Sequence, residues 1–275
     1  MGIHSAIEWT DHTFNPWWGC IKVSEGCANC YAETWAKRYG HDLWGRNKPR
    51  RFFGENHWKQ PIKWNKHAIA KNSRVRVFCA SMADVFEDNP ILEPEREKLW
   101  NLIAQTPMTD WLLLTKRPEN MLKLTPWKNE WPDNVWAMVT VENQENAVKR
   151  IPFLIEVPAK VRGLSVEPML GMVDLSPWIK DIHWVINGGE SGIGSRPMNP
   201  EWARLLRDQC VSAGVAYFFK QWGNWIPSTQ ENNGTELRLK SRDGSYETLF
   251  MRRVSKKSAR HELDGFVWNQ IPVLA

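Results

Sequence analysis

Residues 111–119 read WLLLTKRPE. Four apolar side chains run without interruption, a threonine closes the run, and two cations and a proline follow. A strand with one face in water alternates apolar and polar residues; an unbroken run is expected of a strand buried on both faces. The same figure returns at 13–18, 75–80, 135–141, 161–166, 184–186 and 215–219. Helical stretches with start and stop signals lie between several of these runs. Asn199-Pro200 opens one, with asparagine as cap and proline in the first turn, and Gly214 ends it. Trp202, Leu205, Leu206 and Cys210 fall on one of its faces, which makes Cys210 a core residue. Asn89-Pro90 opens a second, striped by Leu92, Leu99, Leu102 and Ile103, and a third runs from Cys30 to Tyr39 and stops at Gly40. Alternating strands and helices imply parallel strands joined by right-handed crossovers. The expected fold is α/β, a partial or near-complete (β/α) barrel forming a single domain over 1–275. A doubly wound open sheet is the second choice.

A barrel places its working groups at the C-terminal ends of its strands. Those ends offer Cys20, then Ser81 and Asp84, then Lys116 and Arg117. Glu142 and Asn143 follow, then Glu167, Asn187 with Glu190, and Lys220 with Gln221. Loops are polar in any case, so the accumulation over seven strands says more than any one position. Lys116, Arg117 and Lys220 serve either an anionic ligand or salt bridges to Glu167 and Glu190, and at least one of them is expected in a salt bridge.

Two segments stand outside the alternation. The basic insertion 40–72 interleaves Arg46, Arg50, Arg51, Lys59 and Lys63 with Trp58 and Trp64. Cations meet phosphates and aromatic rings stack on bases, so these residues are candidate contacts for nucleic acid. The segment also reads as a solvated insertion whose aromatics pack on the barrel, and this reading is slightly favoured. The C-terminal cap, 230–275, carries turn signals at NNG and RDG. The net charge of +5 allows an anionic partner without requiring one. No stretch is long and apolar enough to span a membrane, and the N-terminal residues lack the blocks of a secretory signal. Eighteen tryptophans exceed the needs of a core, so some are expected to line a cleft that receives flat ligands.

Three of five cysteines crowd into CIKVSEGCANC, residues 20–30. An odd, clustered count is no disulfide framework and points to a reducing cytosol. Cys79, flanked by apolar residues at a strand end, reads as core. Cys20, Cys27 and Cys30 have the spacing C-x6-C-x2-C on a loop that leaves the first strand and enters a helix. A cubane [4Fe–4S] cluster held by three thiolates keeps one iron open to a small chelating molecule. The rival is a structural zinc site of the three cysteines with His12 or another histidine. A chain able to bury a large core has little need of such a staple.

With these residues in view, the chain resembles the radical SAM superfamily. Within it, the chain is similar to a phage-associated three-cysteine family usually labelled only as phage protein. The likeness rests on IEWTDHTFNPWWGC (7–20), GCANCYAE (26–33), LLTKRPENM (113–121), SVEPMLG (165–171), INGGESG (186–192), FKQWG (219–223) and LDGFVWNQIP (263–272). The resemblance implies a [4Fe–4S] cluster on Cys20, Cys27 and Cys30, with S-adenosylmethionine on the open iron. An electron from a reductant protein or chemical donor then cleaves the sulfonium, and the 5′-deoxyadenosyl radical takes hydrogen from a substrate. By the same analogy Ser81 and Asp84 meet the methionine end and Glu142 or Asn143 the ribose. Glu167, Asn187 and Glu190 then lie near the adenine, where Gly188-Gly189 would let the backbone approach it. The superfamily's commonest spacing is C-x3-C-x2-C with an aromatic before the last cysteine; here Asn29 holds that place and Tyr31 follows, leaving only backbone for the adenine contact. The implied substrate is a nucleic acid or nucleotide, undergoing base modification or photoproduct-type repair, in the cytoplasm of a bacterial or phage-infected cell. A small molecule or peptide is the competing substrate, and a zinc-containing nucleic-acid-binding protein the non-enzymatic alternative.

Overall fold

The computed structural model describes Ser5 and residues 7–228, 234–241, 243–255 and 261–273. Seven parallel strands form one sheet in chain order: β1 (His12–Thr13), β4 (Val75–Cys79), β5 (Thr109–Thr115), β6 (Val135–Thr140), β7 (Arg162–Val166), β8 (Trp184–Gly188) and β9 (Ala216–Gln221). Helices α2 (Glu55–Lys71), α3 (Glu93–Ala104), α5 (Gln144–Ile155) and α6 (Pro200–Ala213) connect successive strands, and the four-residue α4 (Met121–Leu124) follows β5. This is an α/β fold with the strand succession of a partial β/α barrel. By internal contacts the chain divides into two compact units, Met1–Val139 with Pro152–Arg162, and Thr140–Ile151 with Gly163–Ala275.

In the first unit the unbroken run at 111–115 is an interior strand of the sheet. Trp111, Leu112 and Leu113 are fully buried between β4 and β6, as a strand covered on both faces requires. The first apolar run behaves differently. It pairs with β4 only at His12 and Thr13, because Pro16 has no amide to give a ladder and restrains Asn15 before it. Beyond the proline the chain turns out as β2 (Trp17–Trp18), which pairs antiparallel with β3 (Arg51–Phe52). Helix α1 (Tyr31–Arg38) lies between them in sequence and buries Ala32 and Ala36.

Most of the segment expected as an insertion is α2. Trp58, Pro61, Asn65 and Ala68 are buried along one side of it, and Asn72 closes it in the left-handed conformation. Its charges mask that stripe and Pro61 interrupts its hydrogen bonding, so composition conceals the periodicity. Trp58 is therefore core rather than a stacking platform, and Trp64 stacks on His12 at 4.3 Å.

In the second unit α6 follows its signals. Asn199 Oδ1 accepts from the Glu201 amide at 2.8 Å, Gly214 ends the helix at φ +70°, and Trp202, Leu206 and Cys210 are buried. The C-terminal region forms a three-stranded antiparallel sheet, β10 (Trp225–Pro227), β12 (Tyr246–Arg253) and β11 (Thr235–Lys240), and a hairpin of β13 (Glu262–Leu263) and β14 (Phe266–Val267). Asn232, Asn233 and Arg242 of the expected turns lie outside the described residues. Trp268–Gln270 then runs along β9: the Phe219 amide donates to Trp268 O at 2.8 Å, and Gln270 N to Tyr217 O at 3.2 Å. The last strand's free edge is thus covered. Twelve of the eighteen tryptophans are buried, so core packing accounts for most of their number.

The ends of β8 and β9 are locked by glycine. A Cβ on Gly189 would lie 2.6 Å from the Trp222 carbonyl carbon and closer still to its oxygen. On Gly188 it would stand 2.5 Å from Glu167 Oε1. The space expected for a ligand beside Gly188-Gly189 is filled by the protein itself. Gly189→Ala should destabilise the protein by about 3 kcal/mol, at the upper end of overpacking costs. Gly40→Ala, with nothing within 4 Å but a φ of +77°, should cost only about 1 kcal/mol. Urea midpoints of the two variants check the order.

Candidate functional site

The cysteine loop begins under a clamp. The Gly19 amide donates to Met82 O at 3.0 Å, and Gly45 N donates to Cys20 O at 3.0 Å. Gly19 has a φ of +113°, and a Cβ there would lie 2.6 Å from Leu43 O, so only glycine serves. Cys27 ends a short 3-10 turn, Glu25–Cys27, with Ser24 Oγ 3.8 Å from its sulfur. Cys30 is the residue before α1. Cys20 and Cys30 both pack against an apolar cluster of Trp18, Ala32, Ala36, Leu43, Trp44 and Met82. All three thiols are free and partly buried.

One arginine joins this loop to the end of β5. Arg117 Nη2 donates to Ile21 O at 2.6 Å, while Nη1 lies 2.8 Å from Asp84 Oδ2 and 3.8 Å from Cys20 Sγ. Asp84 in turn accepts from Thr115 Oγ1 at 2.6 Å, Phe86 N at 3.0 Å and Lys116 N at 3.2 Å. Both carboxylate oxygens are occupied by protein donors, so Asp84 aims Arg117. Burial alone would lower the Arg117 pKa, but Asp84, and then Cys20, hold it above the ordinary arginine value. The Cys20 thiol is pushed up to about 12, first by burial and then by the Asp84 carboxylate. Burial raises Cys30 as well.

The turn that clamps Gly19 is itself held by Asn15, which sequence reasoning missed. Fully buried, it accepts from Met82 N at 2.7 Å through Oδ1 and donates to Ser81 Oγ at 3.2 Å through Nδ2. The Tyr31 hydroxyl donates to Ser81 O at 3.1 Å and joins the start of α1 to the same turn. Asn29, partly buried, stands between Cys27 and Cys30. Beneath the loop Arg50 is buried, paired with Glu87 at 2.5 Å and donating to Lys48 O at 2.8 Å. Arg50 is thus a structural ion pair rather than a surface contact for nucleic acid. Its arginine neighbour, Arg51, lies over the Trp18 ring at 4.6 Å.

The second unit uses its polar strand ends in the same internal way. Glu142, fully buried, takes Arg150 Nη1 at 2.7 Å. Asn143 caps α5 by accepting from Asn146 N at 2.9 Å. Asn187, also fully buried, donates to Val166 O at 3.3 Å and accepts from the Tyr217 hydroxyl at 3.1 Å. Glu190 is gripped by Arg196 through Nε and Nη2, at 2.9 and 2.6 Å. Glu167 pairs with Lys220 at 3.0 Å, the salt bridge expected of the rim cations. Gln221 Nε2 donates to Ser191 Oγ at 2.9 Å.

A model of the family described as "Protein of unknown function (DUF5131)" matches residues 4–272. The chain belongs to the DUF5131 family. No curated protein matches this DUF5131 chain. Among solved structures it is similar to a cysteine-to-serine mutant of spore photoproduct lyase, at 11% identity and a TM-score of 0.47, over 91% of this chain and 71% of that one.

The donor chemistry of the cysteine loop fits a group that takes three thiolates. The thiols are free and stand on one short loop; Cys20 and Cys30 pack on an apolar cluster, and Cys20 has the Arg117 guanidinium beside it. No three His, Cys, Asp or Glu side chains among the described residues are grouped as around one metal ion. A cubane meets its ligands at separate corners and asks for a wider spread than a single ion does. His12, the fourth ligand a zinc site would want, is stacked on Trp64.

Asp84 and Arg117 form a nearly buried pair, and removing one partner strands the other charge. Asp84→Asn and Arg117→Gln should each destabilise the protein by about 3–5 kcal/mol. The double variant should lose less than the sum of the two, which a denaturation-based double-mutant cycle measures directly.

Proposed function

We propose that the chain is a radical SAM enzyme whose cluster is held by Cys20, Cys27 and Cys30. The observation that carries this reading is the set of three free thiols on one clamped loop, with a cationic donor, Arg117, at the first. When bound, the cluster and S-adenosylmethionine supply one-electron cleavage of the sulfonium and a carbon radical able to take hydrogen from an unactivated carbon. The chain's own residues prepare that chemistry. Arg117 offsets negative charge on the Cys20 sulfur, as a charge-assisted donor does. Trp18, Trp44 and Met82 back the thiols with apolar surface and keep water from that side. Ser81, set by Asn15 and Tyr31, offers a hydroxyl beside the loop for the amino-acid end of the cofactor. In the second unit Glu167 is the carboxylate suited to a nucleoside, since among the described residues its Oε2 meets only the Ser165 hydroxyl, at 3.4 Å. Asp84, Glu142 and Glu190 are committed to arginines.

The substrate class in this reading is nucleic acid. Lys59, Lys63 and Lys66 are exposed at helical spacing on α2, and Arg46 is exposed before it. Such a row offers phosphate contacts that carry no sequence preference.

Anaerobic reconstitution with iron and sulfide should give a brown protein, and Cys27→Ala should lose most of its iron. Dithionite and S-adenosylmethionine should then yield 5′-deoxyadenosine. A colourless zinc protein, or an intact cluster that leaves S-adenosylmethionine untouched, would overturn the reading.

A further inference from the structure

Seven large aromatic side chains are exposed among the described residues, and four of them lie between 31 and 52. Tyr31, Trp35 and Tyr39 recur every fourth residue, so they line one side of α1, with exposures of 58, 36 and 64%. The adjoining side buries Ala32 and Ala36. Phe52, at 39%, is the fourth. Ring contacts join two of these, Trp35 and Tyr39, to the buried Trp18 and the partly buried Phe53. Tyr39 meets Trp35 at 4.5 Å, Trp35 meets Trp18 at 5.1 Å, and Trp18 meets Phe53 at 5.5 Å. The Arg51 guanidinium lies over both Trp18 and Phe53, at 4.6 and 5.4 Å.

The charge along this surface is one-sided. Glu33 is taken by Lys22 and Lys37, and Asp42 by Lys48. Arg38, Arg46 and Arg51 make no salt bridge among the described residues, and Arg38 shares the aromatic face of α1, three residues from Trp35. Flat rings with uncompensated guanidinium groups between them match a ligand that has both flat faces and regularly spaced negative charge. A duplex hides its base faces in its own stack; only an unpaired strand presents bases and phosphates together.

We infer that the Tyr31–Trp35–Tyr39 face of α1, with Arg38, Phe52 and Arg51, binds an unpaired nucleic-acid strand beside the cysteine loop. This rests on the nucleic-acid part of the reading above and not on the cluster. It also moves the stacking surface away from Trp58 and Trp64, which the fold uses internally. Trp18 links the two sites, since its ring touches the exposed aromatics and belongs to the cluster against which Cys20 and Cys30 pack.

The test is an anisotropy titration of a labelled single strand of about 20 nucleotides, and of its duplex, with apo and iron–sulfur-reconstituted protein. The single strand should bind more tightly than the duplex. Tyr39→Ala and Trp35→Ala should each weaken it about tenfold, the range of one lost base stack, without changing the salt slope. Arg38→Gln should lower that slope by about one unit of charge between about 50 and about 200 mM salt. Phe266→Ala, an exposed aromatic outside this surface, is the control and should change nothing. Tyr39 is the most exposed of the three, and circular dichroism reports whether its variant is folded. Absence of single-strand binding at low salt, or wild-type binding by a folded Tyr39→Ala, would overturn the inference. Iron content and 5′-deoxyadenosine report separately on the radical chemistry, so either idea can fail alone.

Discussion

A loop with three cysteines and one short turn has almost no structure of its own, so its placement must be imposed from outside. Arg117 does most of this. Its guanidinium is fixed on one side by Asp84, which is itself held by Thr115, Phe86 and Lys116, and it reaches across to Ile21 O and the Cys20 sulfur. The geometry of the sheet end is thereby passed to the loop through one rigid, planar, permanently charged group. A lysine in its place would keep the charge but lose the fork that bonds carboxylate, carbonyl and sulfur together. The clamp at Gly19 and the Asn15 amide do the same work from the backbone side.

That arrangement explains why so many polar strand ends turn inward. A carboxylate or amide buried at the end of a parallel strand must find partners, and the nearest are the backbone and side chains of adjacent strands and loops. Asp84, Glu142, Asn143 and Asn187 all satisfy themselves in this way, and Glu190 takes the whole fork of Arg196. The accumulation of polar groups on successive strand ends is therefore first a solution to burial. Glu167 differs from these, since among the described residues one of its oxygens meets only the Ser165 hydroxyl.

The sheet was legible because its signal is strong. Buried parallel strands are unbroken apolar runs, and six of the seven runs read from the sequence coincide with strands to within two residues at either end. The helix at 200–213 was equally plain, since asparagine, proline and glycine each have one physical meaning at its ends. The departures share a cause. At 13–18 a proline divides a run that composition alone treats as continuous. At 55–71 charge and an internal proline conceal a helix whose apolar stripe is only one residue wide. Arg50 read as a surface cation because nothing in sequence reveals that Glu87, thirty-seven residues on, meets it in the interior. Pairings across such distances are set by the fold, and no local pattern records them.

The same reasoning separates Trp18 from the aromatics around it. Its ring is buried, so it cannot itself be a stacking platform, yet it touches Trp35, Phe53 and Arg51 on one side and shares a packed cluster with two thiols on the other. A close-packed interior transmits displacement because it has no slack to absorb it. Anything that shifts Trp35 or Arg51 must therefore be accommodated at Trp18, and through it at Cys20 and Cys30. The surface and the thiol loop are neighbours not by proximity in sequence alone but because one side chain is part of the wall of both.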